Sequence, residues 1–255
     1  MFVSIWMVTA LASNAHPWTG SGWRAVEAQH QVATMGLVSG NLLKQTLLES
    51  ILDESKPALP ANAQGLHWLL STPFRYWPLP GGSRFRRRED PGVFYGAADR
   101  ETACAESGYW RYRFWMDSEF LQDKSKSVAI TLFEFHADTQ LSIDLREPPF
   151  VKDRQVWRDL VSYTATQDLA DQVRQEKIEI VHYESARLEG GHCMAIMTPD
   201  AFRQVPEPYR ENIQNWMLTL VPNVGVVWQR NLSLEKYEFH MTEHSNLWNK
   251  LSRNV

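Results

Sequence analysis

Two periods of apolar residues alternate along the 255-residue chain, and the places where one gives way to the other outline an α+β protein. Val26, His30, Ala33 and Leu37 recur at steps of three and four, which predicts an amphipathic helix from Trp23 to about Leu37. Leu43, Leu47, Leu48, Ile51 and Leu52 form one stripe between Asn41 and Ser55. That segment reads as a packing helix, started by an Asn41 cap and ended by Pro57 and Pro60. His67, in GLHWLL, reads as a satisfied, partly buried histidine rather than a catalyst. The proline- and aromatic-rich connection TPFRYWPLPGG, Thr72 to Gly82, then separates an N-terminal helical extension, residues 1–76, from the main unit, residues 77–230.

The main unit opens on SRFRRREDPGVFYGAADRETACAE, Ser83 to Glu106. Pro91-Gly92 stops any helix there, and Gly96 lets the chain leave a short strand, Val93-Phe94-Tyr95. Asp99 can cap a helix running to about Asp117, with Glu101 at the positive end of its dipole. Ser127 to Ala137 reads as a strand, and Leu141, Ile143 and Leu145 alternate with polar residues in a second one closed by Pro148-Pro149. A helix follows from Ser162 to Glu176, with Leu169 and Val173 on one face and Ser162 or Thr164 as cap. Ile178 to Tyr183 and Cys193 to Met197 are two strands around a turn at Glu189-Gly190-Gly191. AFRQVPEPYRENIQNW reads as loop or short helix, VGVVWQRNLSL as a strand, and residues 231–255 as a polar surface tail.

Composition narrows the picture without redrawing it. A chain that is 44% hydrophobic and of this length can bury a sizeable core, and most of its 11 tryptophans are expected there. A net charge of −4 and a pI near 6.1 lack the basic balance that phosphate-backbone binding demands, so direct nucleic-acid binding is excluded. Cys104 and Cys193 form no close pair for a metal or redox motif, which fits a reducing cytoplasm, and whether they bridge is open. The apolar start MFVSIWMVTALA lacks the positive region of a secretory signal and falls short of the ~20 residues a membrane span needs. It reads as a buried N-terminal segment or the result of a mis-assigned upstream start, and no membrane association is expected.

Candidate chemistry begins with Glu106. On the expected helix it shares a stripe with Ala103, Trp110, Arg113 and Phe114, where stability alone favours Leu or Ala over a carboxylate. A structural account pairs it with Arg113 or with an arginine of the run 84–88. His240-Met-Thr-Glu-His244 matches an inverted zinc-protease pattern, but the short stretch after it offers little chain for a third ligand, so no metal site is expected. Arg84, Tyr95 and Glu106, in contrast, follow one another at intervals of 11 residues, and Ser185 stands downstream in IEIVHYES. The matches SRF at Arg84, VFYGA at Tyr95, ETACAE at Glu106 and HYESAR at Ser185, in this order, resemble the RES domain family, named for arginine, glutamate and serine.

The resemblance implies a fold similar to ADP-ribosyltransferases and a bacterial toxin that consumes NAD, neutralised by a cognate antitoxin with a helix-turn-helix domain. No cofactor is then required: NAD is the substrate, and phosphate is a candidate co-substrate. Cleavage of the nicotinamide-ribose bond builds positive charge on the ribose, which a fixed, ionised Glu106 can stabilise. Arg84 offers a fork for the pyrophosphate and a cation to keep Glu106 charged, although Arg86, Arg87 and Arg88 stand close enough to compete for either role. Tyr95 supplies a ring and a hydroxyl, and Ser185 a donor and acceptor for ribose or phosphate. Ser185 as a nucleophile would need His182 or His192 as base. The alternatives are a mono-ADP-ribosyltransferase acting on protein and a non-catalytic nucleotide- or protein-binding module; homo-oligomerisation is open.

Overall fold

The longest element is a strand whose buried side changes partway. β3, Lys126–Asp144, buries Ile130 and Leu132 on one face and Phe133, Phe135 and Ala137 on the other, so hydrophobic layers cover both sides of its middle. The structure, a computed structural model, describes residues 5–28, 38, 41–78, 80–202, 213–242 and 245–250. Near residue 140 one extra residue enters β3, because Trp18 faces Thr139 while His16 faces Ser142. The bulge moves Ile143 to the first core layer. The two strands expected on either side of it are therefore one.

β3 holds the rest. β1, His16–Glu27, runs antiparallel along one edge from Ser142 to Ile130. β6, Ile213–Val221, takes the other edge over Lys126 to Phe133, and β4, Ile180–Glu184, joins in parallel at Ser142 to Asp144. β5, His192–Ile196, and β2, Phe94–Ala97, extend β4, and β2 returns to β1 at Trp23 and Ala97. β1, β2, β5, β4 and β3 thus close into a ring, with β6 outside it. β7, Gly225–Arg230, β8, Lys236–Thr242, and β9, Ser245–Lys250, continue outward from β6 as a meander.

Helices cover the ring. α1, Ile5–Asn14, places Leu11 in the first core layer, and α2, Leu42–Glu54, follows β1. α3, Trp68–Arg75, starts at His67, whose Nδ1 accepts the Leu69 N–H at 3.3 Å, which is the satisfied role expected of that histidine. α3 sends Leu69, Leu70 and Phe74 to a second layer built on Phe94, Phe133, Phe135 and Phe202, where ring pairs meet edge to face. α4, Arg100–Met116, the short α5, Arg154–Trp157, and α6, Thr164–Gln175, complete the opposite side. Leu169 and Val173 are buried as their spacing requires, but no side chain caps α6.

Some expectations fail for identifiable reasons. Residues 23–27 belong to β1 rather than to a helix, because strand pairing along β3 outweighs the helical spacing of Val26, and residues 29–37 lie outside the described residues. The segment 1–76 is therefore not purely helical, and its β1 belongs to the sheet of the main unit. α2 forms, with Asn41 Oδ1 accepting the Lys44 N–H, yet it is not a packing helix. Its stripe faces outward: Leu43 is 84% exposed and Gln45 only 8%. β6 stands where loop was expected, since Trp216, Leu218 and Leu220 alternate inward. β8 and β9 replace the polar tail, with Phe239 buried. Gly96 lies inside β2 rather than after it, packed against Phe135.

Tryptophans divide more evenly than expected, with Trp157, Trp216 and Trp228 in the core and Trp68, Trp77 and Trp110 exposed. His240 lies on a strand, so it lacks the one-turn helical spacing that the zinc pattern needs, and Glu243 and His244 lie outside the described residues. Cys104 and Cys193 are separate buried thiols. No helix among the described residues is long and apolar enough to cross a membrane. Because β1 contributes a whole edge of pairing to β3, a chain starting at residue 28 is expected to lose cooperative thermal unfolding. Circular dichroism melts of both chains check this, and an unchanged transition would make the first segment a true appendage.

Candidate active site

The loop 83–90 is fixed before any ligand is considered. Ser83 and Arg86 close it with reciprocal backbone hydrogen bonds, and Gly82 enters at φ +72°, where a side chain would also collide with the Arg86 carbonyl. α6 grips it from outside: Gln167 Nε2 donates to the Ser83 and Arg86 carbonyls, and Arg174 reaches the Phe85 carbonyl at 2.8 Å. Arg87 pairs with Asp168 and Asp171 at 2.5 and 2.6 Å, and Arg86 donates to the Tyr76 and Asp90 carbonyls. Arg88 is exposed beside Trp77 and Pro80 in a shallow depression. Arg84 alone of the four turns into the main cavity. Its guanidinium is tied to the Trp157 and Asp159 carbonyls at 2.6 and 2.9 Å and lies 4.9 Å from the centre of the Tyr163 ring.

The acidic centre is built from two distant segments. Asp99 caps α4 by accepting the Thr102 N–H at 2.7 Å and its hydroxyl at 2.8 Å, which sets the phase that turns Glu106 toward β4. Ser185, immediately after β4, donates its hydroxyl proton to Glu106 Oε1 at 2.5 Å, and the Ala186 N–H donates to the same oxygen at 3.2 Å. Ser185 Oγ in turn accepts the Arg187 and Leu188 N–H groups at 3.1 and 3.0 Å. Arg154 holds Glu184 at 2.5 Å, while Arg158 holds Glu189 and the Ser185 carbonyl. Gly191 lies so close to Ser185 that a side chain there would press on it. Oε2 of Glu106 makes no protein hydrogen bond among the described residues. Neither expected cation pairs with Glu106, because Arg113 bridges to Asp117 and Arg84 is held by carbonyls.

These groups surround a cavity of about 670 Å³. Of its four arginines Arg111 is paired with Glu27 at 2.7 Å, and Arg24, Arg84 and Arg187 are left against the one lining carboxylate, Glu106, so the cavity favours an anionic ligand. Aromatic walls come from Trp23, Tyr95, Trp110, Phe114, Tyr163 and Tyr183. Tyr95 presents its ring, but its hydroxyl is occupied by Ser83 at 2.8 Å and the Phe85 N–H at 3.0 Å, and burial pushes its pKa up. Tyr183 and Cys193 beside Glu106 are likewise raised well above their ordinary values by burial, which keeps both neutral.

Three expected site residues, Arg84, Tyr95 and Glu106, line the cavity. Ser185 does not. It is fully buried, and its hydroxyl proton is engaged by Glu106. Nor do the histidines reach it. His182 and His192, 3.3 Å apart, alternate with Tyr183 and Cys193 along β4 and β5 and therefore face the other side of the sheet, against Trp18. Arg24 and Arg187 escaped the sequence reading. Arg24 donates to the Tyr95 carbonyl and lies over Phe94, and burial lowers its pKa to about 10 while its enclosed Nε finds no partner. A lone charge inside the apolar strand GWRAV was the available signal. Among the described residues no cluster of three metal-ligating side chains exists.

With this geometry in view, comparison with protein families finds one model, described as RES domain, matching residues 59–220. The chain belongs to the RES domain family. The match starts upstream of residue 77, taking in α3, and ends within β6, so β1 and its Arg24 stand outside the RES model while lining the same cavity. Among solved structures, a chain of the M. tuberculosis MbcT-MbcA toxin-antitoxin complex is similar at 10% identity and a TM-score of 0.46, covering 87% of this chain and 95% of that one. No curated protein matches.

Two outcomes follow for this RES domain. Ser185→Ala strands two backbone N–H groups and removes the donor to Glu106, so unfolding free energy is expected to fall by about 2–3 kcal/mol in urea titrations. Burial holds His182 down to about 3 and His192 to about 4, below the ordinary histidine value, so the unfolded chain binds protons first as pH drops. Stability is therefore lost from pH ~6.5 downward, by roughly 2 kcal/mol between pH 7 and pH 5 for His182. Urea midpoints across this range check the slope, and His182→Gln is expected to flatten it.

Proposed function

We propose that this RES domain is an NAD-consuming enzyme that cleaves the nicotinamide-ribose bond, as a phosphorylase or glycohydrolase. The observation that carries the reading is a carboxylate held by one oxygen, with the other left for ligand, on the wall of an arginine-lined aromatic cavity. A volume of about 670 Å³ falls in the range of small-molecule sites, about 300–1,000 Å³. The three inward arginines Arg24, Arg84 and Arg187 suit a pyrophosphate, and the rings suit flat bases.

In this mechanism the C1′–N bond breaks, and its electron pair goes to the pyridinium nitrogen, which departs as neutral nicotinamide. The positive charge left on the ribose is stabilised by Glu106, whose Ser185 and Ala186 contacts hold it in place throughout the step. Water or phosphate then supplies an oxygen lone pair to C1′, giving ADP-ribose with loss of a proton, or ADP-ribose-1″-phosphate. Ser185 forms no bond to substrate. Tyr95 stacks through its ring, since its hydroxyl is engaged.

The biological role we propose is that of a toxin acting in the cytoplasm and neutralised by a cognate helix-turn-helix antitoxin, on the strength of family membership. Nicotinamide release from NAD, followed chromatographically with and without phosphate, is expected for the wild-type chain, and Glu106→Gln is expected to lower it by about 10²-fold or more. Undiminished turnover in that variant would remove Glu106 from the site. Label that stays on small molecules when labelled NAD is incubated with lysate separates this reading from transfer of ADP-ribose to protein. Induction in a bacterial host should deplete NAD and arrest growth, and Glu106→Gln should restore both.

A further inference from the structure

Glu106, Trp110 and Phe114 stand at successive four-residue steps of α4, all three on the cavity wall. The carboxylate is half-buried, whereas Trp110 is 52% and Phe114 73% exposed, so the stripe runs from the interior of the cavity to its mouth. Each step advances about 6 Å along the helix axis. Large exposed rings at the edge of this arginine-lined aromatic cavity lose nothing by stacking on a flat ligand and gain burial.

Trp110 is also held ready. The Arg187 guanidinium, itself 1% exposed, stacks over the Tyr109 ring at 3.7 Å and lies over the indole of Trp110 at 5.3 Å. Tyr109 meets the indole edge to face with ring centres 5.3 Å apart. The indole is thus held by a cation and a ring while about half of it stays exposed on the cavity wall. The backbone of Arg187 is bonded to Ser185 Oγ, so the same short loop that fixes Glu106 sets this backing.

We propose that Trp110 and Phe114 form a base-stacking subsite at the mouth that takes the purine end of the dinucleotide and makes the site prefer a dinucleotide to a nicotinamide mononucleotide. The inference rests on the NAD-cleaving reading above. With the scissile ribose at Glu106, the nicotinamide ring attached to it stays in the enclosed part near Tyr183, while the purine, a pyrophosphate away, reaches the mouth. Trp110 and Phe114 act as specificity-determining residues, leaving the chemistry to Glu106.

The test compares kcat/KM for NAD and for nicotinamide mononucleotide in wild type, Trp110→Ala, Phe114→Ala and Trp110→Phe. Base-aromatic stacking energies predict that the NAD preference falls about tenfold in Trp110→Ala through KM, less in Phe114→Ala, and is largely kept in Trp110→Phe. An unchanged ratio, or a loss carried by kcat, overturns the assignment. Calorimetric titration of adenosine monophosphate into Glu106→Gln and Glu106→Gln/Trp110→Ala proteins gives a readout independent of turnover. Affinity about tenfold weaker in the double variant supports the subsite, and equal affinity overturns it, leaving the rings to contact a protein. If wild type releases no nicotinamide while the titrations still differ, the NAD-cleaving reading fails and the purine subsite stands.

Discussion

One hydrogen bond joins the two halves of the site: Ser185 Oγ to Glu106 Oε1, at 2.5 Å across 79 residues of chain. A carboxylate on a helix wall has many rotamers, and a charge left in an apolar niche without donors is costly. Ser185 and the Ala186 N–H answer both difficulties by fixing one oxygen, and Oε2 keeps no protein hydrogen bond among the described residues. Ser185 can do this only because Arg187 and Leu188 saturate its lone pairs and Arg154 and Arg158 clamp the loop through Glu184 and Glu189.

The arginine run shows how the same logic separates neighbouring, identical side chains. Arg86 and Arg87 are used to close and anchor the loop, one on carbonyls and one on two aspartates of α6, and Arg88 is left in solvent. Arg84 is held at two nitrogens by carbonyl oxygens, which carry no net charge, and forms no direct ion pair with a carboxylate among the described residues. An arginine anchored on carbonyls keeps its field for a ligand; one anchored on carboxylates does not. Arg24 follows the first pattern through the Tyr95 carbonyl.

What could be read from the chain follows the range of the interactions. The Asp99 cap and the α4 helix depend on neighbours three residues apart, and both were legible. Glu106, Ser185 and Arg84 were legible as a spaced pattern, but the burial of Ser185 was not, because it is decided by the β4-β5 turn and by α4. β1 was hidden because Gly20 and Gly22 interrupt its alternation while Val26 lies at helical steps from later residues. Gly22 lets β1 pack against Phe135 and Met194, contacts that no local window contains, and Gly20 leaves room for the ring of Trp18 two residues earlier. The bulge near residue 140 disguised one strand as two, since a single inserted residue reverses inward and outward positions. The leucine stripe of α2 marks the limit of periodicity, which says that two faces differ, not which of them meets the core.

The sheet itself explains why histidine chemistry is absent from the cavity although two histidines stand within seven residues of Ser185. Alternation along β4 assigns Tyr183 to the cavity and His182 to the far face, and β5 repeats the choice with Cys193 and His192. A one-residue shift of register would exchange both pairs, bringing two imidazoles to Glu106 and turning Tyr183 away. The register is held by Glu184 and His192 at one end and Ile180 and Ile196 at the other, and by the parallel match of Asp144 with His182. Backbone pairing therefore leaves the enclosed part of the cavity with groups that burial keeps neutral, Tyr183 and Cys193, around one fixed carboxylate. That arrangement sets one carboxylate, engaged at one oxygen by Ser185 and Ala186, beside a phenol and a thiol that keep their protons, while both imidazoles stay on the far face of the sheet.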